Sequence, residues 1–357
     1  MSHLIPDSAF AAMPQLMLLL VAAGAIYYLV VGSDWLVDGA AGLAQRLGIA
    51  KVVVGATVVS LGTTSPEAAV SVMAAWQGQP GLALGNAVGS IIADTGLIFG
   101  LGCILAVLPA DRFVLKRQGC VDVGSAVLLA VLCYAAFAIK GGEAELGRWV
   151  GVLMLVLLVI YLVISVYWAK SHPHGEVSAA AAADADLAAD ADEKPRSVGI
   201  MLGLIVLGLT IVILASRFLI GTVTVLAAQW GIPEVVISST IVAFGTSLPE
   251  FAVGMTAIIR GHKELLVGNV IGADILNVLF VIGASAIAKE LPIIDANAAI
   301  PEIFLYLHLP TMLVMIGLFM VYIIRAVKKG HFERWNGYPL LILYLMFLAV
   351  GYILEKV

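Results

Sequence analysis

Charge is what this chain has least of. Only 12% of its 357 residues are Asp, Glu, Lys or Arg, against 62% that are hydrophobic. That is too little charge to cover a water-soluble surface of this size, which excludes a soluble globular protein and leaves a polytopic membrane protein. The net charge of -5 sits mostly in short loops and one linker, so there is no basic face for nucleic acid. Cysteine is equally scarce. Cys103, Cys120 and Cys133 form an odd set without metal-type spacing, which argues against a disulfide or zinc framework and makes them packing residues. Histidines are confined to loops or helix ends except His308, and no serine is placed to pair with it. An intramembrane hydrolase would need a nucleophile and a base, or two facing aspartates, and the histidines supply no such nucleophile–base pair. The N-terminal MSHLIPDSAFAAMPQ lacks a basic n-region and a small-residue cleavage pattern, so it reads as the approach to a first span rather than a removed signal.

What is present is a series of apolar runs, each near the ~20 residues a bilayer requires. Ten occur, near 14–44, 50–76, 82–108, 119–139, 148–168, 199–229, 233–259, 264–288, 301–325 and 337–354. Continuous runs of this length mean helices, because lipid leaves backbone groups no other partners. The first and sixth are long enough to be strongly tilted. Fourteen Lys and Arg lie in the odd-numbered connections, against four in the even ones and the termini. The expected topology therefore has both termini outside and the linker between spans five and six in the cytoplasm. That linker, 171–197, is rich in alanine and acidic residues and reads as a flexible tether.

Laid on itself, the chain aligns 33–100 with 216–283 without a gap, and 24 of 68 pairs are identical. "GTTSPE" at 62–67 falls on "GTSLPE" at 245–250, and "GNAVGSIIAD" at 85–94 falls on "GNVIGADILN" at 268–277. Five spans fit each half, and an odd number inverts the second copy. The expectation is an all-α fold of ten transmembrane helices in two inverted five-helix repeats, 1–170 and 198–357, with repeat motifs at 55–100 and 238–283. Inverted repeats point to alternating access, with the site at the repeat interface.

The chemistry of the twin motifs follows from their spacing. Pro66 and Pro249 have no N–H, so the carbonyls of Gly62 and Gly245 lose their helical partners. Thr63, Thr64 and Ser60 share a helical face with Glu67; Thr246, Ser247 and Ala243 do the same for Glu250. In the second element of each repeat, Asn86, Ser90 and Asp94 recur four apart, as do Asn269, Ala273 and Asn277, and Gly85, Gly89, Gly268 and Gly272 permit close helix approach. A carboxylate is costly in lipid, and this one occurs twice in matched context. The set is all oxygen, which suits hard cations such as calcium. Three carboxylates balance three sodium ions, or one calcium with about one charge to spare, which makes competitive exchange the reading. No cofactor is implied, because the ions are cargo. The alternatives are a calcium/proton antiporter, since clustered acids can carry protons, and a cation channel.

Paired GT(T/S)xPE and GNxxG motifs in inverted halves closely resemble the two alpha-repeats of sodium/calcium exchangers, in the cation/calcium antiporter superfamily. The resemblance implies that Glu67 and Glu250 hold calcium, that Thr63, Thr64, Ser90, Thr246 and Ser247 serve sodium or calcium, and that backbone oxygens of Ser60 and Ala243 join them. It also makes the first and sixth helices the moving pair. Family members commonly have serine at the positions of Thr64 and Ala273, and often asparagine and aspartate where this chain has Asp94 and Asn277. The third carboxylate has thus moved to the first repeat, and the sodium site nearest Ala273 is weakened. Potassium-dependent members carry an aspartate where this chain has Asn277. Short loops suggest a prokaryotic plasma (inner) membrane. Asp274 is expected to face a neighbouring helix or water, Asp34 and Asp38 to be solvated at a helix end, and Glu302 to start a helix.

Overall fold

A computed structural model describes residues 10, 13–76, 80–171, 197–230, 243–294 and 302–354. The linker expected at 171–197 and the first part of the run at 233–259 therefore lie largely outside the described residues. Among the described residues the long apolar runs are helical. The helices are α1 (Gln15–Leu47), α2 (Lys51–Thr63), α3 (Ser65–Trp76), α4 (Gly81–Leu105), α5 (Arg112–Lys140) and α6 (Arg148–Ser171). They continue as α7 (Val198–Gln229), α8 (Ala243–Thr246), α9 (Leu248–Ile259), α10 (Lys263–Ala288), α11 (Phe304–Lys329) and α12 (Gly337–Leu354). Among the described residues, eight helices are long and apolar enough to cross a membrane, and α2 and α9 are shorter apolar segments.

The molecule is layered by exposure. α10 is almost wholly buried and α4 largely so, whereas the other long helices turn much of their length outward. Leu16, Leu20, Tyr27 and Tyr28 on α1 and Val152, Val156, Val159 and Val163 on α6 are exposed, a surface that only lipid would solvate. All three cysteines are free: Cys103 and Cys133 are buried as packing residues, and Cys120 is exposed.

Small residues bring the central helices together. A Cβ on Gly268 would fall on the Val52 carbonyl oxygen, and one on Gly55 would come within 2.7 Å of the Leu265 carbonyl oxygen, so α2 and α10 touch backbone to backbone. α1 and α7 do likewise, with Gly32 and Gly208 facing one another. Gly85 and Gly89 behave differently from expectation: no described atom lies within 4 Å of a Cβ there.

Short ties join the connections between helices. Glu145–Leu146 pairs with Leu291–Pro292 in a two-stranded antiparallel sheet, and Pro109 bridges His331. Asp34 bonds Arg260 at 2.7 and 2.9 Å, with Asp38 at 4.0 Å. Asp34 is thus tied to the end of α9 rather than simply solvated. The carbonyl of Glu302 accepts bonds from Leu305 and Tyr306, which fits a helix-start residue.

Lys51 Nζ lies 3.0 Å from His262 Nδ1 at the N-terminus of α10. Burial, together with the nearby charges of Lys51 and Arg260, pulls this imidazole from 6.5 to about 4. The unfolded chain takes up a proton near pH 6.5 that the folded chain refuses until about pH 4, so the neutral ring's contribution is complete above 6.5 and is lost as pH falls across that window. Thermal melts of His262→Asn lose part of the decline in stability between those two pH values that the parent protein shows.

Candidate functional site

The two Gly-Thr motifs break their helices in the same way. Thr64 adopts φ -80°, ψ -8° between α2 and α3, and Ser247 adopts φ -84°, ψ 8° between α8 and α9. Both lie toward the bridge region, out of the helical well, each two residues before its proline. Contrary to the expectation from Pro66, the Gly62 carbonyl is not left loose, because a backbone N–H at the end of α2 reaches it. The Ser60 carbonyl likewise accepts both the Thr64 N–H, at 2.8 Å, and the Thr63 hydroxyl, at 3.3 Å, which occupies its two lone pairs. The backbone of Ala243 opens α8.

A feature invisible in the motif spacing appears in α4 and α10. Each carries a π-turn, at Asp94–Phe99 and Asn277–Ile282. The two turns occupy repeat-related positions, and each opens on the polar residue singled out from sequence. π-turns are rare and recur at functional sites because the extra residue redirects a side chain. No simple sequence signal announces them.

Side chains from both halves interlock between these elements. Thr64 donates to Glu250 Oε1 at 3.3 Å, Thr63 to Asn269 Oδ1 at 3.4 Å, and Thr246 to Asn86 Oδ1 at 3.3 Å. The last two bonds are repeat-related copies of each other. Asn86 also donates to Ser71 at 3.0 Å. Glu67, Asp94 and Glu250 are each at most 2% exposed and stand close enough for their charges to act on one another. Arg217, on α7, is within electrostatic reach of Glu67. α9 packs against the π-turn at Asp94, and α3 packs against the one at Asn277.

Seven buried oxygens here have no hydrogen-bond partner: both of Glu67, Oε2 of Glu250, Oδ1 of Asp94, Oδ1 of Asn277, and the hydroxyls of Ser90 and Ser247. Buried polar atoms are almost always paired, so such a concentration calls for an explanation. Calcium takes six to eight oxygens, and these donors are of that kind. Among the described residues no group of three His, Cys, Asp or Glu side chains stands ready as a metal cage, so hydroxyl and amide oxygens have to complete any coordination shell. Of the two expected surroundings of Asp274, a neighbouring helix or water, it has the first: it is fully buried, with Thr95 of α4 donating to it at 2.6 Å.

Comparison with known proteins agrees with this architecture. The model of the family described as sodium/calcium exchanger protein matches residues 17–167 and again 200–352. The chain is 31% identical over 326 residues to a putative antiporter, CaxA, of Alkalimonas amylolytica, covering 91% of this chain and 95% of that protein. It is 30% identical over 344 residues to the sodium/calcium exchanger MaX1 of Methanosarcina acetivorans, covering 91% and 95%. Among solved structures, the sodium/calcium exchanger from Methanococcus jannaschii superposes with a TM-score of 0.75 at 26% identity, over 94% of this chain and 99% of that one. Twin motifs, oxygen-only donors and two family matches in one chain lead to one conclusion: this multi-pass membrane protein belongs to the sodium/calcium exchanger family of cation antiporters.

Proposed function

We propose that the chain exchanges sodium for calcium across the plasma membrane by alternating access, with calcium held between Glu67 and Glu250. The observation that carries this reading is the cluster of three buried carboxylates with unpartnered oxygens around them, contributed by both sequence repeats. Charge decides the exchange. Three acids leave a net charge of about -1 around one calcium or are neutralised by three sodium ions, and both loads draw on the same oxygens, so they exclude one another. Thr63, Thr64, Ser90, Asn86, Asn269, Asn277, Thr246 and Ser247 complete the shells.

A ten-span, twofold arrangement is the framework for this reading. The two family matches begin at 17 and 200, the same offset as that between Glu67 and Glu250. The ties between connections support the span count. Pro109 with His331, and Lys51 with His262, join odd-numbered connections to odd ones; Glu145–Leu146 with Leu291–Pro292 joins even to even. With ten spans each tie stays on one side of the bilayer. The basic residues then put the odd side, with the central linker, in the cytoplasm and both termini outside. α1 and α7, in contact through Gly32 and Gly208, are the pair that slides across the site.

Calcium-45 uptake into proteoliposomes tests the coupling. An outward sodium gradient drives uptake, and a pH gradient of equal size without sodium does not. Uptake driven by protons and indifferent to sodium identifies a calcium/proton antiporter instead. Calcium flux with no counter-ion requirement identifies a channel.

A further inference from the structure

One buried acidic group lies outside the cation centre. Asp274 on α10 and Asp122 on α5 are 0% and 1% exposed, on helices that pack together, and their charges act on each other. Gln118, one helical turn before Asp122 and on the same face of α5, is fully buried with neither its amide oxygen nor its amide nitrogen partnered. Tyr161 of α6 is within reach of the Asp122 charge and donates to the Ala56 carbonyl at 3.2 Å. Ser165, a turn along α6, has an unpartnered hydroxyl.

We propose that Asp122 and Asp274 form a proton-binding site, separate from the cation centre, which exchanges its proton as the centre loads and unloads. Two buried carboxylates on packed helices, near enough for their charges to act on each other, cannot both be ionised without a counter-charge, since burying each charge costs several kcal/mol. Among the described residues, the other ionisable groups that act on the pair are Asp94 from the π-turn of α4 and Tyr161 from α6, and neither can carry a positive charge. The compensating charge must come from solution. Few acid and amide oxygens here are unpartnered, one each on Asp122, Asp274 and Gln118, which favours a proton over calcium with its six to eight oxygens. The unpartnered Gln118 nitrogen needs one of those oxygens as its acceptor. A proton needs only one carboxylate oxygen to hold it and a second to accept its hydrogen bond.

The pair is wired to the centre. Thr95 donates to Asp274 at 2.6 Å and directly follows Asp94. A proton leaving the pair places one more negative charge behind Asp94 and strengthens cation binding there; by reciprocity a cation arriving at the centre promotes release of the proton. This coupling rests on the proposed exchange function, whereas the proton site itself does not.

Infrared difference spectra of the purified protein between acid and alkaline buffer, in calcium chelator, test the site without any transport. A protonated-carboxyl stretch that disappears on alkalinisation is expected, persisting in the Glu67→Gln/Asp94→Asn/Glu250→Gln triple variant and absent from Asp122→Asn and from Asp274→Asn. The Asp122→Asn amide imitates the neutral acid in shape, so this variant decides the question if the other fails to fold. A band that survives both substitutions, stays at every pH, or vanishes with sodium at constant pH overturns the proposal. Calcium titration calorimetry in two buffers of different ionisation enthalpy tests the coupling: Asp122→Asn releases up to one proton fewer per calcium than the parent. Equal release overturns the coupling, and absence of calcium binding would count against the exchange function while leaving the infrared result intact.

Discussion

Replacing Glu67 with glutamine lowers calcium affinity by about 100-fold or more and abolishes sodium-driven calcium uptake. Removing one member of a buried charged constellation costs about 3–5 kcal/mol, and about 1.4 kcal/mol is tenfold in affinity. Glutamine keeps the shape and one carbonyl oxygen but surrenders the charge, so the loss falls on the ion rather than the fold. The sign of the effect on the empty protein is opposite. Glu67 faces Glu250 and Asp94 without a partner for either oxygen, and neutralising it relieves repulsion, so the cation-free variant melts higher than the parent. The calcium-induced rise in melting temperature, equivalent to about 2.7 kcal/mol at a hundredfold excess over Kd, disappears. Parallel calorimetry and thermal melts separate these effects. Normal calcium binding by the variant would remove Glu67 from the site, and a fall in both melting temperatures would mark it as structural. Glu250→Gln behaves similarly, with a smaller gain in the empty state because Thr64 already donates to one of its oxygens.

A single methyl group at Gly268 is the second large effect. The added Cβ would occupy the space of the Val52 carbonyl oxygen and lie 3.0 Å from the Ala56 nitrogen. Both neighbours are backbone, so no rotamer change absorbs the clash, and α2 must move away from α10. Overpacking a core costs about 1–3 kcal/mol even where side chains can adjust, so Gly268→Ala sits at or above the top of that range. Because Thr63 on α2 bonds Asn269 on α10, the displacement also opens the site: Gly268→Ala lowers the melting temperature and weakens calcium binding together. Gly85→Ala, at the repeat-related position with nothing described within 4 Å, is the comparison. Detergent-solubilised yield, melting temperature and calcium titration of the pair measure the difference, and equal behaviour would show that the α2–α10 contact yields easily.

Membrane residence, helical class and the recurrence of Glu67 as Glu250 were legible in the sequence because each follows from a one-dimensional property. Hydrocarbon leaves the backbone no partner but itself, so run length dictates helix. A buried acid that recurs in the second half, after the same Gly-Thr and Pro, reveals duplication without any structure.

What only the tertiary structure decided was who meets whom. Pro66 predicts a freed Gly62 carbonyl, but a cap N–H takes it, because local hydrogen bonds rearrange in ways spacing does not record. Asp94 and Asn277 look like ordinary members of a helical stripe until the π-turns reorient them. The partner of Asp34 is Arg260, far along the chain at the end of α9, and Asp274, open in sequence between a neighbouring helix and water, is bonded by Thr95 of α4. Helical periodicity dictates which residues share a face; which faces are pressed together depends on small residues such as Gly55, Gly268, Gly32 and Gly208. The oxygens of the proposed cation centre are therefore encoded locally, while their enclosure is a property of the packed bundle.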